Sequence, residues 1–192
     1  MVIKKIFITF IMTIFTVTYA KTNNDLFAKN SLVFDGKTYT LKWSSHPKKH
    51  FFKQEYLPNN EKLDKYKTMI VIDFYEGDFQ PQELVDTLIQ NLTKRKKTDP
   101  VANFNIFTKD KEYIVDFLLS ESSKNYITLL ERNVYRYKII NDTKSQRKGV
   151  LIFGVSERAY DSEVDVYFEN LKQNKNKLII NVGNYDFPKL KK

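Results

Sequence analysis

Apolar and polar residues alternate one by one along much of the chain, a pattern typical of half-buried β-strands. This alternation marks residues 37–43, 102–106, 113–119 and 126–140. Two nearly continuous apolar runs, 68–75 and 149–158, predict strands buried on both faces. Asp35-Gly36 supplies the positive φ angles of a tight turn and predicts a hairpin over 32–43. Residues 44–66 are more polar and are predicted as a long connection.

Two segments have helical periodicity instead. Residues 78–92 carry one apolar stripe, and Pro81 suits a first helical turn because its missing N–H leaves no bond unmade there. A second helix is predicted to begin at 161–162 and to end at the polar stretch 173–177. For residues 178–182 a short strand and a last helical turn both remain open.

This order of elements predicts an α+β domain. We expect an antiparallel sheet of about six or seven strands with two amphipathic helices packed on one face, because each helix has a single apolar stripe to bury. Across residues 31–182 the element order resembles the PsbP/Mog1-like α/β sandwich proteins, which include exported bacterial proteins of the DcrB type. The resemblance implies a binding or accessory role rather than catalysis, and it assigns no individual residue.

The N-terminus has the features of an export signal. Lys4 and Lys5 precede an apolar run at 6–17, which Thr18-Tyr19-Ala20 follows as a small-residue cleavage site. The run is shorter than the roughly 20 residues that a bilayer-spanning helix needs, although a retained anchor is the rival interpretation. We therefore expect an exported protein, periplasmic or extracellular after cleavage. The predicted organisation is a signal at 1–20, a flexible leader at 21–30, one domain at 31–187 and a basic tail at 188–192.

Composition narrows the classes of partner. The chain has no cysteine, which excludes a disulfide framework and thiolate metal sites, and its formal net charge is +9. A basic surface favours anionic partners, although A/T-rich codon usage alone also produces a lysine-rich chain. Export argues against nucleic acid as the partner. Peripheral contact with anionic lipid through Lys94–Lys97 stays open, as does the oligomeric state.

No motif for catalysis, a cofactor or a metal stands out. His46 and His50 are separated by Pro47 and two lysines, which does not suit a helical metal-ligand pair. The five glycines form no phosphate-binding loop. We therefore predict neither a cofactor nor a metal.

One constellation of charged residues is a candidate site. Glu131, Arg132 and Arg136 lie within one predicted strand, and Glu157 and Arg158 end the next. If these strands pair, alternation points each Glu and its neighbouring Arg to opposite faces of the sheet. Cross-strand ion pairing is one interpretation. The other is a patch for an anionic ligand or a partner protein, built from the three arginines with the two glutamates beside them.

The resulting functional hypothesis is a small non-enzymatic protein of the cell envelope that binds a partner protein or an anionic ligand. A hydrolase that uses Glu131 or Glu157 is one alternative. A secreted effector that acts outside the cell is another.

Overall fold

The computed structural model describes residues 26, 27, 29–123 and 126–191. Within them the chain forms eight strands, two α-helices and one 3₁₀ turn. In chain order these are β1 (Ser31–Phe34), β2 (Lys37–Lys48), β3 (Phe51–Leu57), β4 (Thr68–Glu76), α1 (Pro81–Arg95), β5 (Asn103–Lys109), β6 (Glu112–Ser123), β7 (Tyr126–Asp142), β8 (Arg147–Tyr160), the 3₁₀ turn (Asp161–Glu163) and α2 (Val164–Gly183).

The strands form one antiparallel sheet in the order β1-β2-β3-β4-β8-β7-β6-β5. Two four-strand meanders are joined where β4 pairs with β8. The α+β class is confirmed, but the sheet has eight strands rather than six or seven. The additional strand is β3, within the predicted connection 44–66. Its half-buried side carries Lys53 and Glu55 between the aromatic residues, so the segment is too polar to stand out as a strand.

The two helices cover opposite faces of the sheet, which corrects the prediction that both pack on one face. Leu84 and Leu92 of α1 pack in the same cluster as Tyr135 and Ile152. Leu178 and Val182 of α2 belong to the cluster of Val134 and Phe153. Because successive residues of a strand point to opposite sides, these clusters lie on different faces. An apolar stripe shows that a helix must pack, but not on which face. We call the two sides the α1 face and the α2 face.

The first turn is as the sequence predicts, whereas the end of the second helix is not. Asp35 and Gly36 have φ angles of 46° and 74°, as the predicted hairpin turn requires. The second helix does not end at 173–177: it runs to Gly183, and only Asn174 departs from helical geometry, with φ −121° and ψ 17°. Residues 178–182 are therefore helical, and the polar stretch is a kink rather than a terminus.

Residues near both ends of the described chain pack into the core. Leu26 and Phe27 are buried, Phe27 bridges to Leu190, and the Lys191 N–H donates to the Leu26 carbonyl at 2.9 Å. Leu26 and Phe27 of the predicted leader and Leu190 and Lys191 of the predicted tail thus contact each other. The predicted signal at 1–20 lies outside the described residues. In the part of the chain that the structure describes, neither helix has the length and apolarity needed to cross a bilayer.

Candidate functional site

The structure separates the charged residues that the sequence placed in one patch. In the β7–β8 ladder Glu131 lies opposite Arg158 and Arg132 opposite Glu157. The first pair is on the α1 face, and the second is on the α2 face together with Arg136. No single surface therefore contains all three arginines, because Arg158 lies on the other face from Arg132 and Arg136. The two glutamates face no common cleft. The cross-strand pairing that the sequence allowed is present.

On the α1 face Glu131 is the centre of a hydrogen-bond network. Its Oε2 accepts from Arg158 Nε at 2.5 Å and from the Tyr66 hydroxyl at 3.2 Å, and its Oε1 accepts from Asn133 Nδ2 at 2.9 Å. Ser156 Oγ donates to Asn133 Oδ1. Burial raises the pKa of Tyr66, and the Glu131 charge adds to that shift, so the phenol stays a donor. Both oxygens of this carboxylate are therefore committed to the fold.

A second cluster of charged side chains, Lys53, Asp73 and Glu55, lies beside this network on the same face. Lys53 Nζ is 3.6 Å from Asp73 Oδ1 and 3.9 Å from Glu55 Oε1. Burial raises the pKa of both carboxyl groups, and the Lys53 charge partly offsets the shift. The sequence analysis did not single out these residues, although Asp73 interrupts an otherwise apolar strand.

On the α2 face Arg132 joins the sheet to the helix. The residue is only 3% exposed, and its Nε donates to Asp116 Oδ1 at 2.9 Å. Its Nη2 also donates to the backbone carbonyl of Lys175 at 2.6 Å, next to the kink at Asn174. Glu157 lies 4.0 Å from Nη1. Arg132 therefore fixes the middle of α2 against β6 and β7.

Arg136 has a comparable role further along β7. Its Nε donates to Glu112 Oε2 at 2.7 Å, and its Nη1 donates to the carbonyl of Tyr185 at 2.9 Å. The guanidinium lies 5.0 Å from the ring centroid of Phe187. Arg136 thus holds the segment that follows α2, and its hydrogen bonds are used within the fold.

A cavity of about 220 Å³ lies between α2 and strands β5 to β7. We call it the α2 cleft. Four residues on one side of the helix form one wall, and residues of the three strands form the other. Its lining is Asn103, Asn105, Asp116, Phe117, Leu118, Arg132, Phe168, Leu171, Lys172 and Lys175.

The α2 cleft has an excess of positive charge. Arg132, Lys172 and Lys175 line it against one carboxylate, Asp116, which Arg132 already neutralises. Lys172 forms an ion pair with Glu169 at 2.6 Å, but both side chains are about 70% exposed, so the pair is worth at most about 1 kcal/mol. Among the described residues the Lys175 ammonium has no ion-pair partner. The cleft therefore combines two available lysines with apolar residues of both walls, Phe168 and Leu171 from the helix and Leu118 from the sheet.

Of the residues predicted for a site, only Arg132 lines this cleft. Arg136, Arg158, Glu131 and Glu157 belong to the ion pairs described above. The sequence analysis missed Lys175 because it ended the second helix at 173–177, and it did not single out Lys172, which lies in the last predicted turn of that helix. A detectable signal was present: Phe168, Leu171, Lys172 and Lys175 follow the three- and four-residue spacing of one helix face.

Fold and cleft together define a three-layer α+β domain with a small cationic cleft under its second helix. A family model matches residues 26–187, and the chain belongs to this uncharacterised family. The match covers the complete sheet and both helices. Neither the curated proteins nor the solved structures gave a significant match.

Proposed function

We propose that this is a non-enzymatic protein of the cell envelope that binds an anionic group of a partner in the α2 cleft. The observation that carries the proposal is the lining of the cleft, in which Lys172 and Lys175 lie among the apolar residues Leu118, Phe168 and Leu171. A volume of about 220 Å³ is below the roughly 300–1,000 Å³ of small-molecule pockets. The cleft thus suits a group the size of one or two side chains.

The positions of the acidic residues support binding over hydrolysis. Glu131 and Glu157 lie on opposite faces, so they cannot act as an acid and base pair on one substrate. Glu157 also accepts from the Tyr167 hydroxyl at 2.7 Å, and neither glutamate lines the α2 cleft. A hydrolase using these residues has no support from the geometry.

The cellular setting of the proposal comes from the sequence. The charged, apolar and small-residue order of 1–20 supports export, with the periplasm or the exterior of the cell as the destination. A partner in the envelope and one outside the cell are both compatible with the cleft. The element order also supports the resemblance to PsbP/Mog1-like sandwiches, which implies a binding or accessory role.

The proposal is tested with a minimal anion. We expect acetyl-Glu-amide to bind the purified protein with a Kd on the order of millimolar, and acetyl-Gln-amide to bind far more weakly. Binding is followed by NMR shifts of the Lys172 and Lys175 amides and of the Asn103 and Asn105 side chains. Replacing Lys172→Gln and Lys175→Gln together should remove the preference for the anion, because the available cations are gone.

The matched control is Lys49→Gln with Lys144→Gln, which removes the same two charges from the turns between β2 and β3 and between β7 and β8. It should leave the binding unchanged. Equal affinity for the charged and uncharged probes, or full binding by the double variant, would contradict the proposal. Raising the salt concentration should weaken binding of acetyl-Glu-amide but not of acetyl-Gln-amide.

A further inference from the structure

The α2 cleft opens beside an unpaired edge of the sheet. β5 is an edge strand that pairs only with β6, and all of its residues except Phe104 are exposed. Ile106 and Phe107 are 43% and 44% exposed. Asn103 and Asn105 belong both to this strand and to the lining of the cleft. Edge and cleft thus form one continuous surface.

The pairing with β6 shows which backbone groups of β5 are open. Asp110 and Lys111 form the two-residue turn, with φ angles of 51° and 65°, so Lys109 and Glu112 bond to each other across it. Hydrogen-bonded pairs alternate along an antiparallel ladder. The N–H and C=O groups of residues 104, 106 and 108 therefore point away from β6. The Phe104 N–H donates to the Asn103 side chain, while those of Ile106 and Thr108 have no partner among the described residues.

The opposite edge of the sheet is less suited to pairing. β1 has four residues, whereas β5 has seven, and two of the four, Leu32 and Phe34, are buried. Natural proteins shorten edge strands to limit pairing with other chains. β5 is longer and has neither a proline nor a bulge in its register with β6. It is the edge at which another strand can be added.

The charge around β5 indicates the chemistry of the added strand. Lys96 donates to Asn103 Oδ1 at 3.1 Å, Lys109 precedes the turn, Lys111 lies in it, and Lys172 and Lys175 line the cleft. Of the carboxylates around β5, Asp99, Asp116 and Glu112 are paired with Arg95, Arg132 and Arg136. Asp110 of the turn offsets one lysine charge, so the lysines remain in excess. A second copy of this chain would bring the same positive charges together, so an acidic segment is favoured.

We propose that an extended acidic segment of a partner protein adds to β5 as a ninth, antiparallel strand. Backbone hydrogen bonds to Ile106 and Thr108 supply affinity, and acidic side chains on the α2 face enter the cleft beside Lys172 and Lys175. This inference rests on the proposed function of the cleft and names the form of its ligand.

The test uses the purified protein and the peptide acetyl-Val-Glu-Val-Glu-Val-Glu-Val-amide. We expect it to bind at least about tenfold more tightly than acetyl-Glu-amide, because backbone hydrogen bonds add to the charge contact. Amide hydrogen exchange should slow at Ile106 and Thr108, whose N–H groups point outward. It should change little at Asn105 and Phe107, which are already bonded to β6.

A series of singly N-methylated peptides provides the decisive control and leaves the protein unaltered. Affinity should fall about tenfold or more at alternate positions only, because every second peptide N–H faces β5. A lysine-containing peptide of the same pattern should not bind.

The remaining outcomes separate the two proposals. If the peptide binds no more tightly than acetyl-Glu-amide and N-methylation has no periodic effect, strand addition is overturned while the anion-binding cleft stands. If acetyl-Glu-amide fails as well, both fail. If sedimentation instead shows a dimer that Ile106→Pro disperses and that the peptide does not, the occupant is a second copy and the proposal is overturned.

Discussion

The two faces of the sheet bury charged residues in different ways. On the α1 face, Glu131 collects hydrogen bonds from Arg158, Asn133 and Tyr66, so side chains satisfy one another. On the α2 face, Arg132 and Arg136 each bond a carboxylate and also a backbone carbonyl of a distant segment. On the α1 face the charged side chains thus bond mainly to one another. On the α2 face the arginines also bond to α2 and to the segment after it, and so hold these segments against the sheet.

This difference explains why the cleft lies on the α2 face. Tyr66 comes from the loop between β3 and β4 and completes the α1-face network. Arg132 instead attaches α2 at Lys175, close to the kink, and the cavity lies beside this attachment. Apolar contacts hold α2 at its start, through Val164, and near its end, through Leu178 and Val182. Between them the long side chain of Arg132 makes the attachment, and the cavity lies beside it. The interaction that holds the middle of the helix therefore also shapes the cleft.

The largest effect is expected from Arg132→Leu. The substitution leaves Asp116 buried without its counter-ion and frees the carbonyl of Lys175, so we expect a loss of about 3–5 kcal/mol in unfolding free energy. Urea denaturation measures it. The double variant Arg132→Leu, Asp116→Leu should recover much of the loss because no unpaired charge remains. A loss below about 1 kcal/mol in the single variant would show that Arg132 does not hold α2.

The sequence predicts the parts of this comparison that depend on local pattern. Alternation placed Glu131 and Arg132 on opposite faces, and cross-strand ion pairing was one of the two interpretations. The register that sets Arg158 and Glu157 opposite them comes from the structure. Asp35-Gly36 fixed the first turn, and the apolar stripe identified α1.

The parts that depend on distant contacts could not be predicted. Nothing local shows that Arg132 bonds the carbonyl of Lys175, 43 residues away, or that Phe27 meets Leu190. The side of the sheet on which each helix packs depends on the crossover of the chain rather than on the helix itself. Predicting the α2 cleft requires both the distant contacts and the face on which α2 packs. Of its lining residues, only Arg132 was therefore predicted as a site residue.

A smaller effect is expected from Arg158→Leu on the α1 face. Glu131 would keep its bonds to Asn133 and Tyr66, and its side chain is 12% exposed, so water can replace part of the lost interaction. We expect a loss of about 1.5–3 kcal/mol by urea denaturation, less than for Arg132→Leu. The matched control is Glu131→Gln, which keeps the size of the side chain. If Arg158→Leu costs more than Arg132→Leu, the contrast between the two faces is wrong.

The smallest effects concern the pH dependence of stability. Glu112 on the α2 face and Asp73 on the α1 face should change the free energy of unfolding with opposite sign as the pH rises. Burial acts to raise the pKa of Glu112 on the α2 face, but hydrogen bonds from Lys138 and Arg136 outweigh it and lower the pKa. Its contribution to stability is present above the unfolded-state value, near 4.3, and is lost as the pH falls through the folded-state value.

Burial raises the pKa of Asp73 on the α1 face. Its ionised form is therefore penalised in the fold, and the cost develops as the pH rises from the unfolded-state value, near 3.9, through the raised one. Urea denaturation between pH 3 and 7 should show that Glu112→Gln loses stability relative to the unmodified protein mainly at the upper end. The stability of Asp73→Asn relative to the unmodified protein should be highest at the upper end of the same pH range, because the variant removes the cost of ionising Asp73. Parallel pH profiles for the two variants would refute the contrast, since both carboxylates would then be held in the same way.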